Sequence, residues 1–288
     1  MGLKDFGKVP EDMIVRIRTR FDEIYQDDRS SFSAEDHDEV MKSDWPIQRF
    51  VIAAYKDESE ALNKLVATMK WRKENSVRIL PDTYFPRENY LLGAIFPFGK
   101  DKNGDKVLWL RTAGLVREPE LEEIAKRFIV HRIYKIDQAC GPNGYAVVID
   151  SSGASYSMMK NMDLLHFFIT TLHYHFPAAV NYVLTYQLPW YLRTMWTMAQ
   201  YWVPAKRRSM VQFAHGEELH NYFDDDQLPI HYGGTCDDQW NKPPEGCPGL
   251  GDFCRFELGL SENAVKNVLH NWDTEHAYKV LQFPSDDN

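Results

Sequence analysis

The amino-acid sequence predicts an α/β fold in which a helical N-terminal lobe packs against a mixed, mostly parallel sheet flanked by helices. Three observations support this prediction. Residues up to about 75 carry helical patterns, a hairpin pattern follows at 92–110, and from 118 onward helical segments alternate with short apolar runs. Helical crossovers between strands are typical of a parallel sheet with right-handed connections.

The helical lobe is predicted from apolar spacing and helix-start signals. A first helix follows Pro10, because its apolar residues recur every three or four positions and acidic residues stand at its N-terminus. Asp44 before Pro46 predicts the start of another helix, and Asp57 with Glu60 three residues later resembles a capping box. The lobe is therefore placed at 11–76.

Strand and helix patterns alternate through the rest of the chain. Two apolar runs flank a polar stretch ending in Asn103-Gly104, which predicts a hairpin. Further strands are predicted at 145–149, 181–186 and 210–213, and helices at 118–139, 162–175, 190–202 and 217–223. The sequence thus predicts a sheet of about five strands within 77–240. A Pro- and Gly-rich C-terminal extension, 241–288, follows and carries a helical stretch near 261–272.

Charge and hydropathy exclude two classes of function. A net charge of −9 argues against a general nucleic-acid binder, because neutralising phosphates requires a concentrated basic surface. Apolar runs such as Leu91 to Phe98 are far shorter than the ~20 residues of a membrane span, and Met1 to Pro10 lacks the apolar centre of a signal peptide. We therefore expect a cytoplasmic protein.

The four cysteines do not predict a metal site. Cys236, Cys247 and Cys254 lie near one another in sequence, but no C-x2-C pair exists. Zinc sites commonly use such pairs, so free thiols or one strained disulfide are the favoured interpretations. We expect neither metal nor cofactor.

Two groups of residues are candidates for a catalytic role. Asp150 next to Ser151 and Ser152 lacks the G-x-S-x-G context of a hydrolase, and a turn at the strand end explains these residues. His166 and His173 share a helix with His175, but no H-E-x-x-H motif accompanies them, so aromatic-like packing is favoured. The sequence does not predict an enzyme.

A series of motifs in order resembles the CRAL-TRIO family of lipid-binding and lipid-transfer proteins. The resemblance covers about residues 12 to 240 and includes a Trp-Arg run in the helical lobe. The motifs are Met69-Lys-Trp71-Arg-Lys-Glu74, Val147-Val-Ile-Asp150-Ser-Ser-Gly153, His173-Tyr-His-Phe-Pro177, Thr185-Tyr-Gln-Leu-Pro189-Trp190 and Leu228-Pro-Ile-His-Tyr-Gly-Gly-Thr235. Within the family, the Trp-Arg-Lys-Glu-x-Ser-Val run and the Gly-Gly-Thr end are similar to the CRAL-TRIO module of motile-sperm-domain-containing proteins, which tether the endoplasmic reticulum to other organelles.

The resemblance implies a CRAL-TRIO fold whose sheet lines an apolar pocket, with the helix at 190–202 as a mobile lid. That helix is apolar nearly all round, so it is either core or a segment that inserts elsewhere. The predicted pocket residues of the sheet are Val147, Ile149, Val183, Tyr186, Val211 and Phe213. The predicted lid residues that bind the ligand are Tyr191, Leu192, Met195, Trp196, Met198, Ala199 and Trp202.

Basic residues near the lid predict contact with anionic membranes, although a solvated charge run is an equal alternative. They are Arg193, Lys206, Arg207 and Arg208, and such residues near a membrane attract anionic headgroups. The expected partners are thus a lipid ligand, a membrane contacted peripherally, no nucleic acid, and a protein partner through the C-terminal extension. The alternative function is a non-catalytic interaction or tethering module with a vestigial pocket.

The resemblance also predicts that one headgroup site of the family is not used. In members that hold phosphatidylinositol, a Glu follows the proline of the aromatic helix and a Lys begins the last strand. Ala178 and Ser209 stand at these positions, although Arg208 is one residue from the second. Neither an alanine nor a serine side chain supplies the required charge.

Overall fold

The fold is built around one sheet. The computed structural model describes residues 8–115, 118–152, 162–190, 197, 200–203 and 205–272. The five strands are adjacent in chain order, the first pair antiparallel and the others parallel. They are β1 Ile95–Lys100, β2 Lys106–Arg111, β3 Tyr145–Asp150, β4 Val180–Tyr186 and β5 Val211–Ala214. The predicted mixed, mostly parallel sheet is confirmed.

The β1–β2 hairpin closes through a short polar loop. Gly104 adopts φ 85°, a left-handed conformation that glycine tolerates without steric cost. Asp101 accepts the backbone N–H groups of Asn103 at 2.9 Å and Asp105 at 2.8 Å. The Tyr182 hydroxyl donates to the same carboxylate at 2.9 Å, which fixes the loop against β4.

The N-terminal lobe consists of four helices around its own apolar core. They are α1 Glu11–Asp27, α2 Ala34–Lys42, α3 Trp45–Ala53 and α4 Glu58–Glu74. Asp57 caps α4 as predicted, because its carboxylate accepts the Glu60 N–H at 2.8 Å. The helix start predicted from Asp44 and Pro46 is confirmed, because α3 begins at Trp45 with Asp44 at the N-cap position. The Asp44 carboxylate makes no cap hydrogen bond and pairs with Arg18 at 2.5 Å.

One face of the sheet is covered by helices and the other by short turns of 3-10 helix. The helices are α5 Arg87–Leu91, α6 Glu122–Cys140, α7 Met162–His175, α8 Leu250–Phe256 and α9 Glu262–Asn271. Phe253 of α8 and Val265 and Val268 of α9 belong to the same buried core as α6 and α7, so the C-terminal extension packs into the core of the α/β part. The opposite face packs against Phe223, Leu228 and Tyr232.

The helix predicted at 217–223 is a 3-10 helix, Gly216–Asn221. The Glu218 carboxylate accepts the His215 N–H at 2.8 Å, which holds its first turn. Short segments commonly adopt 3-10 geometry, so the predicted position of this helix is confirmed and its predicted α-helical type is wrong.

The lobe joins the α/β part through a buried ion pair. The Arg49 guanidinium of α3 contacts both carboxylate oxygens of Asp137 in α6, at 2.8 and 2.7 Å. Its Nε donates to the Pro177 carbonyl at 2.9 Å. Burial opposes the charge on Arg49, but the carboxylate of Asp137 outweighs it and raises the Arg49 pKa. This pair holds the lobe against α6 and the end of α7.

Within the described ranges, no helix has the length and apolar character needed to cross a membrane. All four cysteines are free thiols, which decides between the two interpretations left open by the sequence. In the same part of the chain, no cluster of three or more His, Cys, Asp or Glu is arranged to hold a metal ion.

Candidate functional site

An apolar cavity of about 100 Å³ lies between the sheet and α7. The sheet contributes alternate residues of β3 together with residues of β4 and β5, and α7 contributes a stripe with the spacing of a helix face. The segment after 199 closes another side. The lining residues are Val147, Ile149, Val180, Val183, Val211, Phe168, Ile169, Leu172, His173, Phe176, Trp202, Val203, Arg207 and Met210.

Four of the six sheet residues predicted for a pocket lie around this cavity: Val147, Ile149, Val183 and Val211. Tyr186 does not, because successive side chains of a strand point to opposite faces, and Tyr186 packs with Tyr232 on the other side of the sheet. Its predicted place in the pocket is wrong. Phe213 is also outside the cavity; it lies on the edge strand and is 42% exposed.

The predicted lid is described at its two ends. Trp202 lines the cavity, and Trp190 is 79% exposed. Between them, the predicted lid residues Tyr191, Leu192, Met195, Trp196, Met198 and Ala199 lie outside the described residues, as does Arg193. The structure therefore leaves the lid helix itself a prediction.

The basic residues predicted to dock at a membrane divide between two surroundings. Arg207 lines the cavity, whereas the Arg208 guanidinium lies 5.2 Å from the ring centroid of Tyr201, whose side chain is 75% exposed. Lys206 belongs to the 3-10 helix Ala205–Met210, and its side chain is outside the described part of the chain. The consecutive charges in the sequence gave no indication of this division.

Polar side chains reach the cavity from two elements, His173 of α7 and Arg207. Burial lowers the pKa of His173, and the charges of Arg207 and Lys64 lower it further. Burial also lowers the pKa of Arg207, opposed by the nearby phenol of Tyr55. The cavity therefore offers apolar contacts to a ligand, and it has one cationic group, Arg207, at one side. The described lining residues include no paired nucleophile and base.

Sequence reasoning missed the contribution of α7. Phe168 and Leu172 of α7 and Phe176, directly after its end, recur every four residues, and all three line the cavity. That spacing was available, because a crossover helix packs on the sheet beside the strands it connects.

Two of the motifs that carry the family resemblance meet in a buried hydrogen-bond network. The Tyr232 hydroxyl donates to Asp150, whose other oxygen accepts the Ser152 N–H at 2.8 Å. Arg111 approaches the same carboxylate at 3.6 Å. Burial and the Asp150 charge raise the pKa of Tyr232, which keeps the hydroxyl a proton donor. Asp150 thus acts as a turn and anchor residue, which supports the turn interpretation over a hydrolase.

Replacing Tyr232 by Phe is expected to lower the free energy of unfolding by about 1.5–3 kcal/mol, because it removes a buried hydrogen bond to a carboxylate. Urea denaturation measures the loss. Tyr222→Phe is a matched control, since that hydroxyl donates at the exposed surface to Gln212. A Tyr232→Phe protein as stable as the Tyr222→Phe protein would show that the network contributes little.

The interface between α4 and α7 makes stability depend on pH. The His175 ring stacks on Trp71 with centroids 3.7 Å apart, and burial, aided by the charge of Arg72, lowers the pKa of His175 from 6.5 to about 4. Between these values the unfolded chain binds a proton at His175 that the folded protein does not bind. The contribution of neutral His175 to the free energy of unfolding is therefore complete above pH 6.5 and is lost as the pH falls to about 4.

We expect this residue alone to account for about 2–4 kcal/mol of the stability lost across that window. Urea denaturation of the wild type and of His175→Phe, each measured at pH 7 and pH 4.5, tests the expectation. The variant should show the smaller difference between the two pH values. Equal differences would contradict the assignment.

The Ala178 position supports the expectation about the phosphatidylinositol site. Ala178 is 2% exposed, has φ 56° and packs into the core of the helical lobe. Its side chain therefore faces protein, not the cavity, while Ser209 is exposed on the short helix before β5. The expectation itself remains a prediction.

Known proteins resemble this chain over the region that holds the cavity. A model of the CRAL/TRIO domain matches residues 92–234. Clavesin-1 of Xenopus laevis is 29% identical over 140 residues, which are 47% of this chain and 39% of that protein. Clavesin-1 of Rattus norvegicus is 30% identical over 133 residues, 44% of this chain and 35% of that protein. The match thus spans less than half the length of these relatives.

A solved structure shows the same fold. The crystal structure of Sfh5 superposes with a TM-score of 0.57 and 17% identity, covering 93% of this chain and 100% of that one. At this identity the likeness concerns the fold alone. The region matched by the domain model contains the sheet, α6 and α7, so residues 92–234 of this chain form a CRAL/TRIO domain.

Proposed function

We propose that this chain captures one hydrophobic small molecule, a phospholipid, sterol or isoprenoid-like lipid, and carries or presents it between membranes. The observation that carries the proposal is the apolar cavity between the sheet and α7. Apolar lining with few polar groups is what binding sites for hydrophobic ligands share. The ligand leaves unchanged, so the protein is a carrier and not an enzyme.

The cavity has to open to admit such a ligand. Its volume is about 100 Å³, whereas pockets for small molecules hold roughly 300–1,000 Å³. One side of the cavity is formed by a single stretch of chain that contributes Trp202, Val203, Arg207 and Met210. We propose that this stretch moves together with the predicted lid. Opening exposes apolar surface, and burying that surface again in a membrane or against the lipid stabilises the open state by about 25 cal/mol per Å².

We further propose that opening occurs at a membrane surface, with the protein otherwise in the cytoplasm. Trp190 and Tyr201 are 79% and 75% exposed, and such amphipathic rings favour the headgroup region of a bilayer. Arg208 beside Tyr201 adds attraction for anionic lipids. The C-terminal extension remains a proposed site for a protein partner.

Transfer between vesicles tests the proposal. Donor vesicles carry labelled phosphatidylcholine, phosphatidylinositol or sterol in separate experiments, and the purified chain is added with unlabelled acceptors. We expect accelerated transfer of at least one lipid, without selectivity for phosphatidylinositol. Transfer of none of them would overturn the carrier function, and selective phosphatidylinositol transfer abolished by Arg208→Ala would reassign the headgroup site to Arg208.

The small cavity volume favours a second candidate, a non-catalytic interaction or tethering module whose pocket is vestigial. Lipid extraction separates the two, because a tether with a vestigial pocket carries no ligand through purification. A chain that holds no lipid but bridges vesicles would favour tethering.

A further inference from the structure

The cavity between the sheet and α7 is apolar but includes one cationic side chain. Among the described residues that line it, Arg207 carries a charge and no Asp or Glu is present. Arg207 belongs to the 3-10 helix Ala205–Met210, which leads directly into β5. Burial lowers the pKa of Arg207, so its guanidinium has lost part of its hydration. In an apolar binding site, a charged group of this kind fixes the orientation of the ligand.

His173 is the second polar group at the cavity, which it reaches from α7. Burial is the largest cause that lowers the pKa of His173, and the charge of Arg207 is the next. The imidazole is therefore neutral at neutral pH and offers one N–H donor to a ligand. The two polar side chains of the cavity thus supply one cation and one neutral donor.

One positive charge at the cavity suits a ligand with one negative charge. The other cation that affects His173 is Lys64, whose ammonium lies 3.1 Å from the Glu60 carboxylate and is offset by it. A carboxylate carries one negative charge, whereas a phosphate monoester carries about 1.5 to 2 near neutral pH. A guanidinium binds a carboxylate through parallel N–H donors, and its fork of five donors allows other protein contacts at the same time.

The size of the cavity favours a compact head group. Its volume is about 100 Å³, and Val147, Leu172 and Val183 continue the lining beyond the polar groups with apolar surface. A carboxylate ends its chain, whereas the phosphodiester of a phospholipid is joined both to glycerol and to a further head group. Arg207 therefore suits an acid with a single apolar chain better than it suits a phospholipid.

We propose that the cavity takes a long-chain carboxylic acid, of fatty-acid or isoprenoid type, whose carboxylate pairs with Arg207 and accepts a hydrogen bond from His173. The apolar chain of the acid then lies against the sheet and α7. The inference rests on the proposed function, since it names the class of ligand that the cavity holds. Arg207 determines head-group specificity, because the alcohol of the same chain has no charge to pair with it.

Competition between oleic acid and oleyl alcohol tests the assignment, because the two differ in head group and share one chain. Each displaces a neutral fluorescent probe, Nile red, from the delipidated full chain at neutral pH, below the concentration at which either compound aggregates. We expect oleic acid to bind at least about tenfold more tightly than oleyl alcohol, the effect of a hydrogen bond to a charged group. This comparison uses the wild-type protein and does not depend on the folding of any variant.

Substitutions assign the preference to one guanidinium. Arg207→Gln should weaken oleic acid by at least about tenfold and leave oleyl alcohol within about twofold of the wild type, so the preference disappears. Arg132→Gln is the matched control, because burial also lowers the pKa of Arg132, which lies 5.3 Å from the ring centroid of Tyr90 and outside the cavity. It should keep the wild-type preference. Thermal unfolding of each variant shows whether it is folded.

Equal binding of acid and alcohol by the wild type, or a preference for the acid that survives in Arg207→Gln, would overturn the inference. Oleoyl lysophosphatidic acid carries a phosphate monoester, and tighter binding of this compound than of oleic acid would reject the carboxylate in favour of a phosphate. If none of these single-chain compounds binds while phosphatidylcholine or sterol is transferred, the inference fails and the proposed function stands. If no lipid of any class binds, the proposed function itself fails.

Discussion

Replacing Asp137 by Ala is expected to lower the free energy of unfolding by about 3–5 kcal/mol, the largest single stability effect we expect in this protein. The substitution leaves the Arg49 guanidinium buried, with the Pro177 carbonyl at 2.9 Å as its remaining identified acceptor. An uncompensated buried charge is costly, whereas the intact pair offsets its own desolvation. Urea denaturation at neutral pH measures the difference.

The double variant Arg49→Met/Asp137→Leu is the control. Removing both charges leaves apolar side chains of similar volume, so we expect it to regain most of the stability lost in Asp137→Ala. A double variant no more stable than the single one would show that the pair acts through its geometry at the lobe interface and not through charge balance.

Filling the cavity is expected to have the largest effect on ligand binding. Val183→Trp places an indole among the lining residues, so a bound lipid would have to overpack the cavity. Overpacking costs about 1–3 kcal/mol, and the same loss of binding free energy weakens lipid affinity by about 5- to 150-fold. Titration of the purified chain with a fluorescent phospholipid measures the affinity.

Phe213→Trp provides the matched comparison, because Phe213 is on the neighbouring strand but outside the cavity and 42% exposed. It should bind the lipid like the wild type. Equal weakening by both changes, or wild-type affinity in Val183→Trp, would move the ligand to another part of the molecule.

The sheet order was predictable because each strand after the first pair is separated from the next by a crossover. The apolar run around Val147 predicts a strand and the spacing at 162–175 predicts the helix after it, so the alternation of strand and helix is visible in the sequence. The face of each strand that borders the cavity was harder to predict from the sequence. Tyr186 and Val183 are both apolar enough for either face, and the register of β4 against β3 places only Val183 at the cavity.

Interactions between distant parts of the chain were not accessible from local patterns. The Arg49–Asp137 pair joins residues 88 positions apart, and the Tyr232–Asp150 hydrogen bond joins residues 82 apart. Periodicity reports one element at a time, so it cannot pair two buried charges on different helices. The resemblance placed Asp150 and Tyr232 in two separate motifs, and the structure shows them in contact.

Native mass spectrometry of the wild-type chain, purified without detergent, tests the account most directly. We expect one lipid per chain, released on collisional activation and identified by its mass, and a much lower occupancy in the Val183→Trp protein. A folded wild-type protein that is empty and takes up no lipid from mixed vesicles would contradict the central claim that this cavity holds a lipid.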